Sequence, residues 1–186
     1  MQQISDAIRN IPDFPKPGVD FKDITPLLAN GPLFKKTIDA FAKRHKDNRI
    51  DVVVGIEARG FIFSSALAYA LEAGTCLVRK PGKLPHTVHQ ESYELEYGTD
   101  AVEIHLDAFK SGQRILIIDD VLATGGTVAA TSKLIRSHFN VEVVELNFLM
   151  EIGFLKGREK LKGEHIFTLL KDGLIPQGPE SIPGLL

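Results

Sequence analysis

Residues 115–127 read ILIIDDVLATGGT, and this stretch decides the fold. Four apolar residues, Ile115 to Ile118, form the kind of run found in strands buried on both faces, and the pattern predicts a strand over 114–121. The strand ends in two carboxylates, Asp119 and Asp120, and Ala123-Thr124-Gly125-Gly126-Thr127 leads straight into a helix over 127–138. Small residues let a backbone approach a ligand closely, and the free N–H groups at a helix N-terminus point at an anion. Thr124 and Thr127 add hydroxyl donors. A phosphate monoester suits such a loop.

The carboxylates add a second chemistry. Side chains alternate across a strand, so Asp119 and Asp120 are expected to face different ways. Beside a phosphate they would repel it, but they accept hydrogen bonds from sugar hydroxyls. A cradle flanked by acceptors reads as a site for a phosphorylated ribose. The plainer reading is an acidic strand end followed by a helix cap. Gly125→Val is expected to abolish phosphate binding with little harm to folding.

Working outward, strands and helices alternate. Strands are predicted over 50–56 (IDVVVGI), 75–80, 141–149 and 166–170, with helices over 33–46, 60–73 and 154–161. That order implies parallel βα units and an α/β layered fold. A first helix is predicted over 2–10, closed by Pro12, Pro15, Pro17 and Gly18. Residues 81–107 differ in character: two strand-like runs, 92–97 and 101–106, flank Gly98-Thr99-Asp100, which predicts a hairpin. Its acidic side chains (Glu91, Glu94, Glu96, Asp100, Glu103, Asp107) suggest a partly solvent-exposed excursion from the sheet.

The whole chain, 186 residues with 44% hydrophobic and 25% charged, has the composition of one globular domain rather than a disordered or collagen-like chain. A net charge of −2 advertises neither nucleic acid nor an anionic membrane. One cysteine, Cys76 in the apolar run TCLV, cannot form an internal disulfide and fits a reducing compartment. MQQISDAIRN has no apolar core followed by a small-residue cleavage site, so a cytoplasmic protein is expected. Known nucleotide loops do not fit: Gly82-Lys83 is followed by Leu84 instead of Ser or Thr, and no G-x-G-x-x-G occurs. His86 and His89 share an H-x-x-H spacing without a third ligand nearby, so zinc is not expected.

ILIIDDVLATGGT resembles the phosphoribosyl-pyrophosphate signature of the type I phosphoribosyltransferases. Four further stretches, IPDFPKPGVDFKDITPLL (11–28), GIEARGFIF (55–63), RKPGKLP (79–85) and ESYELEYGTD (91–100), are similar to the members of that family that act on adenine, as is LKGREKL (155–161). The resemblance covers the chain to about Leu170. It implies the type I phosphoribosyltransferase fold, a central mostly parallel sheet flanked by helices. A small hood would come from 1–32, a β-hairpin flap from 81–107, and a tail from 171–186. The implied reaction moves ribose 5-phosphate from phosphoribosyl pyrophosphate to adenine, giving AMP and pyrophosphate with Mg²⁺, in a homodimer without nucleic acid or membrane. A transferase for another purine base, or a phosphoribosyl-pyrophosphate-sensing regulator on the same fold, stays open here.

The resemblance also distributes roles. Asp119, Asp120 and Ala123 through Thr127 (Ala123, Thr124, Gly125, Gly126, Thr127) would bind the phosphoribosyl group. Glu57, Ala58, Arg59 and Gly60 would form the pyrophosphate loop, with a cis Glu57–Ala58 peptide, and Arg79, Lys80 and Lys83 would neutralise the leaving group. Phe21 would stack on adenine, with the backbone of Asp20 and Lys22 reading the base edge and Leu155 packing its other face. Glu96 is the implied general base and Tyr97 its neighbour in the flap, with Arg59 completing the catalytic set. Ser64 departs from the family's usual glycine and is expected to narrow the space behind the pyrophosphate loop.

Overall fold

The computed structural model describes residues 1–94 and 98–171. Helix α1 (Gln2–Asp6) leads into a small antiparallel pair, β1 (Arg9–Ile11) with β2 (Phe21–Asp23). The helix expected over 2–10 therefore stops at Asp6. Arg9, Asn10 and Ile11 instead pair with Asp23, Lys22 and Phe21, and the Arg9 guanidinium lies 3.6 Å from Asp23. The Phe14–Pro15 peptide between the two strands is cis.

Two helices follow, α2 (Thr25–Ala29) and α3 (Gly31–His45). The Asn30 side chain caps α3 by accepting the Leu33 amide at 3.1 Å, Pro32 sits in the first turn, and Lys43, Arg44 and His45 occupy the last turn. All three choices suit the helix ends where they stand. Next come β3 (Val52–Ile56), α4 (Gly60–Leu71), β4 (Gly74–Val78), the hairpin strands β5 (Val88–Glu94) and β6 (Thr99–His105), β7 (Arg114–Leu122), α5 (Gly126–His138), β8 (Glu142–Glu151) and β9 (Ile166–Leu170).

The central sheet runs β4-β3-β7-β8-β9, with every neighbouring pair parallel. Alternation along the strands sorts the core into two layers. Val52, Val54, Ile56, Ile115 and Ile117 pack with α5 through Val128, Leu134 and Ile135. Val53, Leu116 and Ile118 face the other way, onto Phe41 of α3, Phe63 and Leu67 of α4, and Ile4 of α1. Helices thus cover both faces, and all five residues of β3 are buried.

One further expectation is corrected. The helix predicted over 154–161 is two separate 3₁₀ turns, Gly153–Leu155 and Gly157–Leu161, because Lys156 between them takes a left-handed φ of 53°. The hairpin is partly exposed, as its composition suggested: β5 is exposed or half-buried along its length, while Ala101–Ile104 are buried and Val102 and Ile104 join the α5-side core. Glu103 among them accepts the Gly82 amide at 2.9 Å, and its backbone bridges Arg79 just past β4.

Candidate active site

Strands β3 and β7 are neighbours, yet their connections diverge. From β3 the chain turns through α4 to β4 on one side, and from β7 through α5 to β8 on the other. The two helices lie on opposite faces. Their parting opens a crevice at the carboxyl ends of β3 and β7, the topological switch point where open parallel sheets bind ligands. Both turns suspected from the sequence lie there: Glu57-Ala58-Arg59 after β3, and Ala123 to Gly126 after β7.

The β7 turn leaves the start of α5 without a side-chain cap, as a helix start open to an anion requires. Gly125 is the N-cap of α5 with φ +77°, a conformation few side chains tolerate, and no side chain caps this helix. A Cβ on Gly125 would lie 2.5 Å from the Gly157 carbonyl oxygen, so the loop is pressed against the second 3₁₀ turn. This corrects the expectation that Gly125→Val would spare folding: the added side chain meets backbone, not only ligand space.

At the β3 turn the Glu57–Ala58 peptide is cis, as the resemblance implied. Gly60, opening α4, leaves no room for a side chain: its Cβ would sit 2.9 Å from Ile118 O and 3.0 Å from Asp119 Oδ1. Ser64 is buried one turn further on. A Cβ on Gly55 would be 2.3 Å from Ser64 Oγ, so the serine fills the space that Gly55 leaves, and its hydroxyl donates to Phe61 O at 3.2 Å.

Asp119 and Asp120 alternate along β7 as expected, but they remain in electrostatic contact. The Asp119 carboxylate folds back to accept the Asp120 amide at 2.9 Å. Burial raises the Asp119 pKa well above the ordinary carboxylate range, and the Asp120 charge raises it further. Burial likewise raises Asp120, against the opposing pull of Arg59. Arg59 Nε lies 2.9 Å from Asp120 Oδ2, close enough for an ion pair but aligned too poorly for a hydrogen bond, so that buried oxygen has no true donor. The same guanidinium stands over the Phe21 ring, its Cζ 5.1 Å from the centroid. Arg59 therefore joins Phe21 to the carboxylate end of β7.

Phe21 is half-buried and packs edge-on against Phe14 at 5.2 Å. The Lys22 ammonium reaches Asn10 Oδ1 (2.7 Å) and exposed Asp20 (3.8 Å). Leu155 ends the first 3₁₀ turn after β8.

The expected basic cluster is largely paired within the protein. Arg79 donates to both carboxylate oxygens of Glu57 (3.1 and 3.3 Å) and to Lys83 O (2.8 Å). Glu57 also accepts the Lys80 amide at 2.9 Å, and these bonds hold its pKa below the usual range. Lys80 pairs with Asp100 and donates to the Tyr93 hydroxyl at 2.9 Å. Lys83 makes no ion pair among the described residues. Tyr93 is the residue that sequence reasoning missed: its hydroxyl lies 3.0 Å from Thr127 Oγ1 and ties the hairpin to the first turn of α5. Glu96 and Tyr97 lie outside the described residues.

A parallel sheet with a glycine turn, paired carboxylates and an arginine turn at its switch point has the arrangement expected of the phosphoribosyl-transfer class. Residues 23–169 match the phosphoribosyl transferase domain model. The chain is 54% identical over 171 residues to adenine phosphoribosyltransferase of Syntrophotalea carbinolica (92% of this chain, 99% of that one) and 53% identical to that of Chloroflexus aurantiacus (91% and 98%). It superimposes on the enzyme from Thermoanaerobacter pseudethanolicus with a TM-score of 0.88 at 49% identity, covering 91% of this chain and 98% of that one. The Saccharomyces cerevisiae enzyme, solved with adenine and an imino-altritol bisphosphate, gives 0.86 at 43% identity, covering 91% and 97%. The chain belongs to the adenine phosphoribosyltransferase family of type I phosphoribosyltransferases.

Proposed function

We propose that this protein transfers ribose 5-phosphate from phosphoribosyl pyrophosphate to adenine, releasing AMP and pyrophosphate. One observation carries the reading: the two anion-suited turns, Glu57–Gly60 and Ala123–Thr127, stand side by side at the carboxyl ends of β3 and β7, with Asp119 and Asp120 between them. A ligand with a phosphate ester at one end, a diphosphate at the other and sugar hydroxyls between them matches that spacing of donors and acceptors.

In this reading the amides of 124–127 and the hydroxyls of Thr124 and Thr127 hold the 5-phosphate. Asp120 Oδ2, buried and without a true hydrogen-bond donor, is ready to accept a ribose hydroxyl. Phe21 stacks on adenine, Leu155 covers the second face, and the backbone of Asp20 and Lys22 reads the base edge. Glu57, Ala58, Arg59 and Gly60, with Arg79, Lys80 and Lys83, receive the pyrophosphate. Glu96 takes the proton that adenine loses as its glycosidic nitrogen bonds to C1 of ribose, and Tyr97 helps exclude water.

Mg²⁺ takes oxygen ligands, usually substrate phosphates with one or two carboxylates. The residues fit that pattern: Asp119 and Asp120 supply carboxylate oxygens at the end of β7, beside the crevice. When bound with the substrate, Mg²⁺ would neutralise phosphate charge.

A homodimer is supported by the apolar side chains that α4 and edge strand β4 expose, Ile62, Tyr69 and Leu77. A cytoplasmic setting is supported by the lone cysteine, Cys76, which has no partner for an internal disulfide; burial pushes its thiol up to about 12, far from reactive. No helix among the described residues is long and apolar enough to cross a membrane. The test of the activity is stoichiometric. Purified protein with Mg²⁺, adenine and phosphoribosyl pyrophosphate should yield AMP and pyrophosphate in equal amounts; loss of phosphoribosyl pyrophosphate without AMP would contradict it.

A further inference from the structure

We propose that Asp100 is an exchangeable counter-anion for Lys80, displaced when pyrophosphate binds, and that it thereby sets the affinity for that end of the substrate. The proposal rests on the reading of Lys80 as a pyrophosphate ligand. Lys80 follows β4, but its ammonium reaches across to the hairpin, where it pairs with Asp100 Oδ2. Asp100 and Tyr93 face each other in register on β6 and β5. The Tyr93 hydroxyl lies 2.9 Å from Lys80 Nζ, 3.1 Å from Asp100 Oδ2 and 3.0 Å from Thr127 Oγ1. The Lys80 charge is thus held one hydroxyl away from the phosphate cradle.

The cations of this region are not equally available. Arg79 is locked by both oxygens of Glu57, in the turn after β3, and by Lys83 O in its own turn. The Lys80–Asp100 pair is held at one carboxylate oxygen only, with side chains 38% and 27% exposed, and ion pairs open to solvent are weak. A polyvalent anion outcompetes a single carboxylate for such a lysine. Exchange also leaves no group stranded. Lys80 keeps the Tyr93 hydroxyl as acceptor, and Asp100 keeps the Ala101 amide at 2.8 Å as donor.

Asp100 opposes pyrophosphate in two ways: it occupies Lys80, and its own charge repels the incoming anion. Removing that charge should tighten pyrophosphate selectively, because AMP needs the amides of the β7 turn and not Lys80. The experiment is calorimetric titration of magnesium pyrophosphate and, separately, of AMP into the wild type, Asp100→Asn, Asp100→Glu and Lys80→Gln, each checked by thermal melting. Asp100→Asn should bind pyrophosphate about tenfold more tightly, roughly the 1.4 kcal/mol of one decade, with AMP affinity within about twofold of wild type. Asp100→Glu, which restores the charge, should behave as wild type, and Asp100→Ser carries the same expectation as the asparagine variant should that one fail to fold. If Lys80→Gln weakens pyrophosphate while Asp100→Asn does not tighten it, the exchange is wrong and the reading of Lys80 stands. If Lys80→Gln binds pyrophosphate as wild type does, the reading of Lys80 fails and takes the proposal with it. Parallel changes for both ligands in Asp100→Asn would assign the residue a purely structural part and overturn the proposal.

Discussion

Gly125 and Gly157 meet backbone to backbone at the edge of the crevice, so that a Cβ on the first would lie 2.5 Å from the carbonyl oxygen of the second. The contact is reciprocal in effect: a Cβ on Gly157 would lie 2.2 Å from Ala123 O. Phosphate cradle and 3₁₀ turn are therefore one packed unit. Gly157→Ala touches no proposed ligand group, yet it should displace the cradle, costing about 1–3 kcal/mol of stability as overpacking does and weakening AMP at least tenfold. Thermal melting with AMP titration checks both, and unchanged AMP affinity would show that the two segments move independently.

Asp120 should trade activity against stability. Its carboxylate is 2% exposed, and burial raises its pKa despite Arg59. A group whose charge is that costly to bury gains little for the fold by being charged. Asp120→Asn should thus melt no lower than the wild type while kcat/KM falls at least tenfold, about 1.4 kcal/mol of transition-state stabilisation. A drop of several degrees in Tm would mean that the carboxylate holds the fold together.

Glu145 on β8 should govern acid stability. Arg44 grips it with two hydrogen bonds (2.7 and 2.5 Å), and His45 lies 3.3 Å away. Burial alone would raise its pKa, but the bonds to Arg44 and His45 win and bring it down to about 2 from 4.5. A carboxylate depressed on folding contributes stability that is complete above its unfolded pKa and is lost as pH falls through the folded one. The window is pH 4.5 to 2, and the contribution is on the order of 3 kcal/mol. Denaturant melts of the wild type should show stability falling across that window, and the fall should be shallower in Glu145→Gln. Equal slopes would remove Glu145 from the account.

Phe21 should matter to adenine and not to phosphoribosyl pyrophosphate. Stacking a base on an aromatic ring is worth about 1–3 kcal/mol, so Phe21→Ala should raise KM for adenine roughly tenfold or more. Steady-state kinetics with each substrate varied in turn will tell. A matching rise in both KM values would point to a collapse of the Phe14–Phe21–Arg59 stack instead of a lost base contact.

The central strands were readable from the sequence because parallel strands covered on both faces must be continuous apolar runs, as in 52–56 and 115–118. The β7 turn was readable because small residues between a buried strand and a helix have few other uses. What escaped was set by distant partners. Arg9–Ile11 becomes a strand only because residues 21–23 return beside it, and two of its three residues are exposed, so no periodicity marks it. The burial of Glu103 depends on the Gly82 amide twenty-one positions away. Tyr93 lies in the quoted stretch ESYELEYGTD, but its bond to Thr127 spans 34 residues and leaves no local trace. The pairing of Arg79 and Lys80 with carboxylates was hidden for the same reason, since a basic cluster read along the chain shows none of its acidic neighbours in space.

The choice of base is the most direct test of the central claim. A site that hydrogen-bonds an exocyclic amino group leaves buried polar groups unpaired when a keto base enters, which supports discrimination of a hundredfold or more. Purified protein should be given Mg²⁺, phosphoribosyl pyrophosphate and, in turn, adenine, hypoxanthine, guanine, xanthine and orotate, and kcat/KM measured for each. The account predicts AMP from adenine with every other base at least a hundredfold slower, about 2.7 kcal/mol. Turnover of hypoxanthine or guanine at a rate comparable to adenine would contradict it.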